Sequence, residues 1–320
     1  MTSRKAVFVV PGGIEAVTGG NLYDSYVIRA LERTNWSVQL EEPGDAPVAA
    51  DVIVVDSLAF AYGRPRTTAP IVALAHQLPS EANWRPEWEE AERRILAAAS
   101  LVVVVADHVR HTLSRFTDAP IEVIPPGRDY AAASEAARLE GNDVLCVANG
   151  IPGKGVPEAI TSIRAAAALG AELVVVGDPN KDEAEGERIQ AAISDVNGPI
   201  RLVGVVDRDE LSDLYAGARV LLTASRYEGW PIAVSEAMAS GLPIVGFDAP
   251  GVRQLVRSSV DGLLVAPGDV VALSEAIRHV FNDGTRAREM GNAARERALT
   301  WPTWSETGER FVSVLTKLVT

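Results

Sequence analysis

The 320-residue chain is 47% hydrophobic and 23% charged, enough for two packed domains, and its net charge of −13 argues against a nucleic-acid partner, which calls for a basic face. No apolar run approaches the roughly 20 residues of a membrane span, and the acidity also argues against permanent attachment to anionic lipid. One cysteine, Cys146, excludes an internal disulfide; it stands in the apolar run VLCVAN as a buried core thiol.

In chain order the first half alternates strand and helix patterns. MTSRKAVFVV runs into a strand at Ala6–Val10 without a signal-peptide cleavage region, which predicts a cytoplasmic protein. A helix at Leu22–Arg33 and strands at Ser37–Leu40, Val52–Val55 and Ile71–Ala75 follow. The spacing next predicts a helix over Pro86–Ala99, a strand at Leu101–Val105, a helix over Asp107–Phe116 and a strand at Ile121–Ile124. Pro125–Pro126–Gly127 breaks the alternation as a hinge. An alanine-rich stretch, Ala131–Glu140, is expected to be helical. A second alternation then places strands at Val144–Val147, Leu173–Val176, Arg201–Val203, Val220–Thr223, Pro243–Gly246 and Leu263–Val265. Apolar strands of this kind suit parallel sheets covered on both faces. The expectation is an α/β chain of two doubly wound domains, 1–125 and 126–300, facing a cleft. Residues 301–320 would return as a helix to the first domain. Ligands of such sheets bind beyond the carboxyl ends of the strands.

The most informative stretch is TASRYEGWPIAVSEAMASGLPIV, residues 223–245. Pro231 suits the first position of a helix, where its missing N–H costs nothing. The free amides near Ile232 and Ala233 would then make an anion site. Glu228 precedes that helix and Glu236 lies one turn inside it. Carboxylates beside an anion site suit a ligand that also offers neutral hydroxyls; alternatively, both are ordinary acids favoured by the helix dipole.

Other phosphate and metal patterns fail. After the first strand stands PGGIEAVTGGN, not GxGxxG, which leaves an oxidoreductase reading without its fingerprint. GIPGKGV lacks the spacing and the hydroxyl residue of a P-loop. Asp207 and Asp209 read as a helix start, with Asp207 and Glu210 in capping positions, rather than a metal site. No His/Cys cluster has metal-ligand spacing and no GxSxG elbow is present, so neither a metal nor a cofactor is expected.

SRYEGWPIAVSEAMASGLPIV resembles the Glu-x7-Glu region of retaining glycosyltransferase family 4, which has the two-domain, Rossmann-like glycosyltransferase B fold. Further segments agree in order. TGGNLYDSYVIRALERTNWSVQ resembles the family's glycine loop and first helix, and IVALAHQL its strand ending in histidine. VIPPGRD is similar to the interdomain segment, VANGIPGKGVPEAI to the strand and lysine loop, and TWPTWSETGERF to the C-terminal crossing helix.

The resemblance implies a hexosyltransferase that moves a sugar from a UDP- or GDP-sugar to a hydroxyl acceptor, with retention and without a metal. It implies that Glu236 holds the ribose, Glu228 the donor sugar, and the amides of Ile232 and Ala233 the distal phosphate, beside the turn Gly229–Trp230. Lys154 would neutralise the diphosphate, and Gly19 and Gly20 would bring a loop backbone to it. His76 would lie near the donor sugar, or else be a satisfied strand-end histidine. Asn149 stands where many members carry arginine, and Gln254 where a glutamate is common. Neutralisation must then lean on Lys154, the helix dipole, and Arg226 or Arg128. That lost cation admits an alternative, a catalytically weak sugar-nucleotide-binding subunit that needs a partner.

Overall fold

The computed structural model describes residues 3–15, 18–44, 48–81, 85–128, 139, 141–196 and 198–320. The chain divides into two compact units, Met1–Gly127 with Pro302–Thr320, and Arg128–Trp301. Apart from Leu139, the stretch expected as the alanine-rich helix Ala131–Glu140 lies outside the described residues.

The first unit runs β1 (Arg4–Val9), α1 (Gly19–Glu32), β2 (Trp36–Glu41), β3 (Val52–Asp56), β4 (Ile71–Ala75), α2 (Glu89–Ala98), β5 (Leu101–Val104), α3 (Asp107–Leu113) and β6 (Ile121–Val123). Its six strands lie parallel in the order β2-β1-β3-β4-β5-β6. Every residue of β3, β4 and β5 is buried, as a sheet covered on both faces requires. Two predicted helices are shorter than their patterns. Pro86–Trp88 forms a separate 3-10 turn before α2, and α3 stops at Leu113, ahead of Phe116.

The second unit runs β7 (Asp143–Val147), α4 (Val156–Ser162), α5 (Arg164–Ala167), β8 (Glu172–Val176), α6 (Glu183–Asp195), β9 (Ile200–Gly204), α7 (Arg208–Gly217), β10 (Val220–Thr223), α8 (Ile232–Ala239), β11 (Ile244–Phe247), α9 (Pro250–Leu255), β12 (Gly262–Val265), α10 (Val270–Asn282) and α11 (Gly284–Ala298). Its strands are parallel in the order β12-β11-β10-β7-β8-β9. Alternate residues of the central strands enter opposite cores: Val144, Cys146, Val220 and Leu222 pack on one face, Leu145 and Leu221 on the other.

The last helix, α12 (Trp304–Leu318), belongs to the first unit. Thr303 and Glu306 close its start as a reciprocal capping box. Phe311 and Leu315 are fully buried, with Phe311 tilted against Phe8 at 6.2 Å. Among the described residues no helix is long and apolar enough to cross a membrane.

Candidate functional site

In the second unit β7 and β10 are neighbours, and the strands that follow each lead outward in opposite directions. Such a reversal opens a crevice at the carboxyl ends of the two strands. The loops leaving both strands carry site residues expected from the sequence. Gly155, with φ +69, lies so close to β10's exit that an added Cβ would sit 2.1 Å from the Ala224 carbonyl oxygen. The Arg226 N–H donates to the Gly153 carbonyl at 2.9 Å and ties the two loops together. Lys154 Nζ therefore reaches Glu228 Oε1 at 2.6 Å, with the side chains 25% and 10% exposed.

Helix α8 follows that turn, but Pro231 is not its first residue. With ψ at 92° it is the extended N-cap, and Ile232 begins the helix. Pro231 offers no side-chain cap, so the first-turn amides, Ile232 and Ala233 among them, need acceptors from elsewhere. The dipole alternative for the two glutamates does not describe this geometry: no acid occupies the first turn of α8. Glu228 precedes the helix and is paired to Lys154.

Glu236, on the next turn, is held from two sides. Its Oε1 lies 3.3 Å from Arg208 Nη2 at the start of α7, and its Oε2 lies 3.3 Å from the Tyr215 hydroxyl. That hydroxyl is also 3.3 Å from the Ala233 carbonyl oxygen. Burial, reinforced by the charge of Glu236, raises Tyr215 well above the usual phenol range, so it remains a donor. Gly229 is buried in the turn, and Trp230 stands edge-on to Trp301 at 5.7 Å.

Asn149 is occupied structurally: its Oδ1 accepts the Asp178 N–H at 2.9 Å, linking the loops after β7 and β8. The two arginines expected as supplementary cations also have partners. Arg226 pairs with Glu158 at 3.0 Å. Arg128 donates to the carbonyls of Trp301 and Leu299, which makes it a brace of the chain near Trp301. Asp207 caps α7 by accepting the Glu210 N–H at 2.9 Å, as the capping reading requires.

In the first unit Gly19 and Gly20 are not in a loop. They open α1, where Thr18 caps by accepting the Asn21 N–H, and the left-handed glycines of this region are Gly12 and Gly13. An added Cβ on Gly20 would lie 3.1 Å from His76 Cδ2. His76 follows β4, and its Nε2 sits 3.0 Å from Asp24 Oδ1 and 3.2 Å from Asp56 Oδ2. Burial pulls the imidazole's pKa down, but the charges and hydrogen bonds of Asp24 and Asp56 overcome it and lift it to about 10. Burial raises Asp24, against the pull of His76.

Asp24, Asp56, Arg208 and Tyr215 are missed by motif reading. For the aspartates a signal exists. Asp24 occupies the same face of α1 as Ile28 and Leu31, and Asp56 ends the all-apolar run VIVV. A charge on a face that must be buried needs a partner. Nothing local marks Arg208 or Tyr215, whose partner lies 28 and 21 residues away.

A protein-family model described as "Glycosyl transferases group 1" matches residues 128–297, more than half of the chain. Among curated proteins, the chain is 26% identical over 248 residues to an MMP alpha-(1->4)-mannosyltransferase of Mycolicibacterium hassiacum, covering 75% of this chain and 59% of that one. It is 29% identical over 266 residues to a GDP-mannose-dependent alpha-(1-6)-phosphatidylinositol monomannoside mannosyltransferase of Mycobacterium tuberculosis, covering 75% and 68%. A glycogen synthase of the latter organism is 28% identical over 235 residues, covering 70% and 53%. The chain thus spans little more than half the length of several curated relatives. Among solved structures, sucrose-phosphate synthase of Thermosynechococcus elongatus superposes with a TM-score of 0.82 at 20% identity, covering 98% and 99% of the two chains. Anabaena HepE in complex with UDP-glucose gives 0.81 at 17% identity, covering 98% and 100%. At these identities the structural likeness shows the fold, two α/β units, each with a six-stranded parallel sheet, of the glycosyltransferase B type.

Proposed function

The chain belongs to the group 1 glycosyl transferases, and from that premise we propose that it is a retaining hexosyltransferase using a UDP- or GDP-sugar, without a metal, on a hydroxyl acceptor. The observation that carries the reading is the meeting of Lys154 and Glu228 at 2.6 Å beside the start of α8, on the crevice between β7 and β10. A cation, a helix start and two carboxylates, Glu228 and Glu236, suit a ligand that is anionic at its diphosphate and hydroxylated at both ends.

In this reading the amides of Ile232 and Ala233 take the distal phosphate. Glu236 accepts hydrogen bonds from the ribose hydroxyls, and Glu228 from a hydroxyl of the hexose. The bond from the sugar's anomeric carbon to the phosphate oxygen breaks, and its electron pair leaves with the diphosphate. The acceptor oxygen bonds to that carbon on the same face, and its proton passes to the departing phosphate oxygen. Lys154 stabilises the charge that grows on the leaving group. In the first unit, His76 is assigned a hydrogen bond to a substrate oxygen.

The test is release of nucleotide diphosphate from UDP- and GDP-sugars with and without hydroxyl acceptors, in EDTA, with product configuration read by NMR. An α-linked product from an α-configured donor is expected. Inversion at the anomeric carbon would reject retention. Binding without turnover would favour the partner-dependent subunit, a reading supported by Asn149 being tied to Asp178 in place of a second cation.

A further inference from the structure

His76 has one ring edge committed twice. Its Nε2 faces Asp24 Oδ1 at 3.0 Å and Asp56 Oδ2 at 3.2 Å, while the aspartate side chains are 0% and 5% exposed. Ionised carboxylates only accept hydrogen bonds, so above the Asp24 pKa of about 6 Nε2 carries the proton that both aspartates share. A neutral ring protonated there would leave two buried anions against an uncharged partner, an arrangement that costs far more than pairing them with a cation. Adding the second proton, at Nδ1, supplies that cation.

The surroundings hold the ring in place. Asp56 Oδ1 is itself fixed by the Leu58 N–H at 2.6 Å, so Oδ2 is aimed by the backbone of the turn after β3. Tyr23, the neighbour of Asp24 on α1, packs edge-on to the imidazole with centroids 5.2 Å apart, and Gly20 closes against its Cδ2. Tyr23 stays a neutral phenol, because burial and then the charge of Asp24 raise its pKa well above the usual range. Asp24 Oδ2 is buried without a hydrogen-bond partner among the described residues, which adds negative potential at the ring. Among the described residues, the groups facing His76 are two acids and one neutral phenol, with the charge of Arg310 acting on the phenol from α12.

We propose that Asp24 and Asp56 are positioning residues that hold His76 as an imidazolium, so that it meets the substrate as an Nδ1–H donor and never as a proton acceptor. This rests on the assignment of His76 to the substrate made above, and it goes further by fixing the chemical role. A histidine beside one carboxylate is oriented yet still able to act as a base; beside two buried carboxylates its proton is retained through the neutral range. The substrate atom it meets is an oxygen with a lone pair, from a sugar hydroxyl or a phosphate. The proton released by the acceptor hydroxyl goes elsewhere, to the leaving phosphate.

The experiment is a histidine ring-nitrogen NMR titration of the full chain without ligand from pH 5.5 to 10.5, with His76 assigned by the signals lost in His76→Gln. His76 should remain doubly protonated above pH 8, while Asp24→Asn lowers its midpoint by at least about one unit, a tenfold change in acidity. Asp56→Asn serves if Asp24→Asn does not fold. In turnover, wild-type kcat should show no limb from His76 between pH 6 and 8, and Asp24→Asn should gain a loss of kcat toward alkaline pH. A His76 midpoint between pH 6 and 7.5 in the wild-type chain would overturn the proposal. So would a stoichiometric divalent metal on the purified protein, because a metal-bound Nε2 carries no proton. The titration is read without substrate, so absence of sugar transfer would reject the proposed function while leaving the state of His76 decided.

Discussion

Lys154 and Glu228 neutralise one another at 2.6 Å, so an anionic ligand must share the lysine with the carboxylate. Lys154→Ala should lower kcat by roughly 10²–10³, the scale for deleting one preorganised stabiliser of developing charge. A variant within threefold of wild type in steady-state assays would mean that the diphosphate is held by other groups. Glu236→Ala should weaken free nucleotide diphosphate as well as the sugar nucleotide, whereas Glu228→Ala should spare the free nucleotide. Each affected complex should lose about 1.5–3 kcal/mol, as for a hydrogen bond to a charged group, and calorimetric titration of both ligands separates the two roles. Equal losses in both variants would defeat the assignment. His76 adds a pH dependence of defined sign. Its folded pKa of about 10 lies above the ordinary 6.5, so its contribution to stability is complete below pH 6.5 and is lost as pH rises toward 10. Asp24 is also raised, by burial, and acts in the same direction at lower pH. Urea midpoints read on first-unit resonances should fall between pH 7 and 9.5, less so in Asp24→Asn; a midpoint that held or rose would contradict the pairing. Lys154, Glu228 and Glu236 can be named as candidates from the sequence because they stand in local patterns, whereas the Arg208 and Tyr215 contacts to Glu236 exist only once α7 and α8 have packed.

At the level of elements, the strands were the most legible part of the sequence. Ile71–Ala75 and Val220–Thr223 form over the residues their apolar runs predict, since short continuous apolar runs suit strands of a parallel sheet covered on both faces. Helix starts were less so. Gly19 and Gly20 read as loop residues, yet Thr18 caps the helix ahead of them, and the cap outweighs the intrinsic cost of two glycines in a first turn. Pro231 stands at the N-cap and not at the first helical position its type predicts, because proline's fixed φ suits both places. Helix α12 shows how close packing settles a pairing the sequence only hints at. An added Cβ on Gly308 would lie 2.6 Å from Ala30 Cβ on α1, and the Tyr26 and Trp304 rings stack at 4.2 Å. Gly308→Val should therefore destabilise the first unit by about 1–3 kcal/mol, the range for overpacking a close contact. Chemical denaturation of that unit is the measurement, and an unchanged midpoint would show that α1 and α12 can separate without cost.

On the scale of the whole molecule, the second unit has two clusters of buried apolar residues, drawn among the described residues from Leu139 to Trp301. Removing residues 303–320 should strip Trp304, Phe311 and Leu315 from the first unit, exposing the apolar side of α1. Nucleotide affinity, assigned to the second unit, should then survive better than turnover. Hydrogen exchange of the truncated chain should show lost protection in α1 and β1, with β7 and β10 unchanged; loss confined to the second unit would refute this. Cys146 offers an independent view of that second unit. It lies on β7, inside a six-stranded sheet, 2% exposed, and burial pushes its thiol up to about 12. A thiol in that state is not a nucleophile, so alkylation cannot proceed without opening of the sheet around it. As the one cysteine of the chain, it is a built-in clock: its labelling rate counts openings of the second unit, and any ligand bound there at free concentration L should slow it by the factor 1 + L/Kd, with no probe introduced.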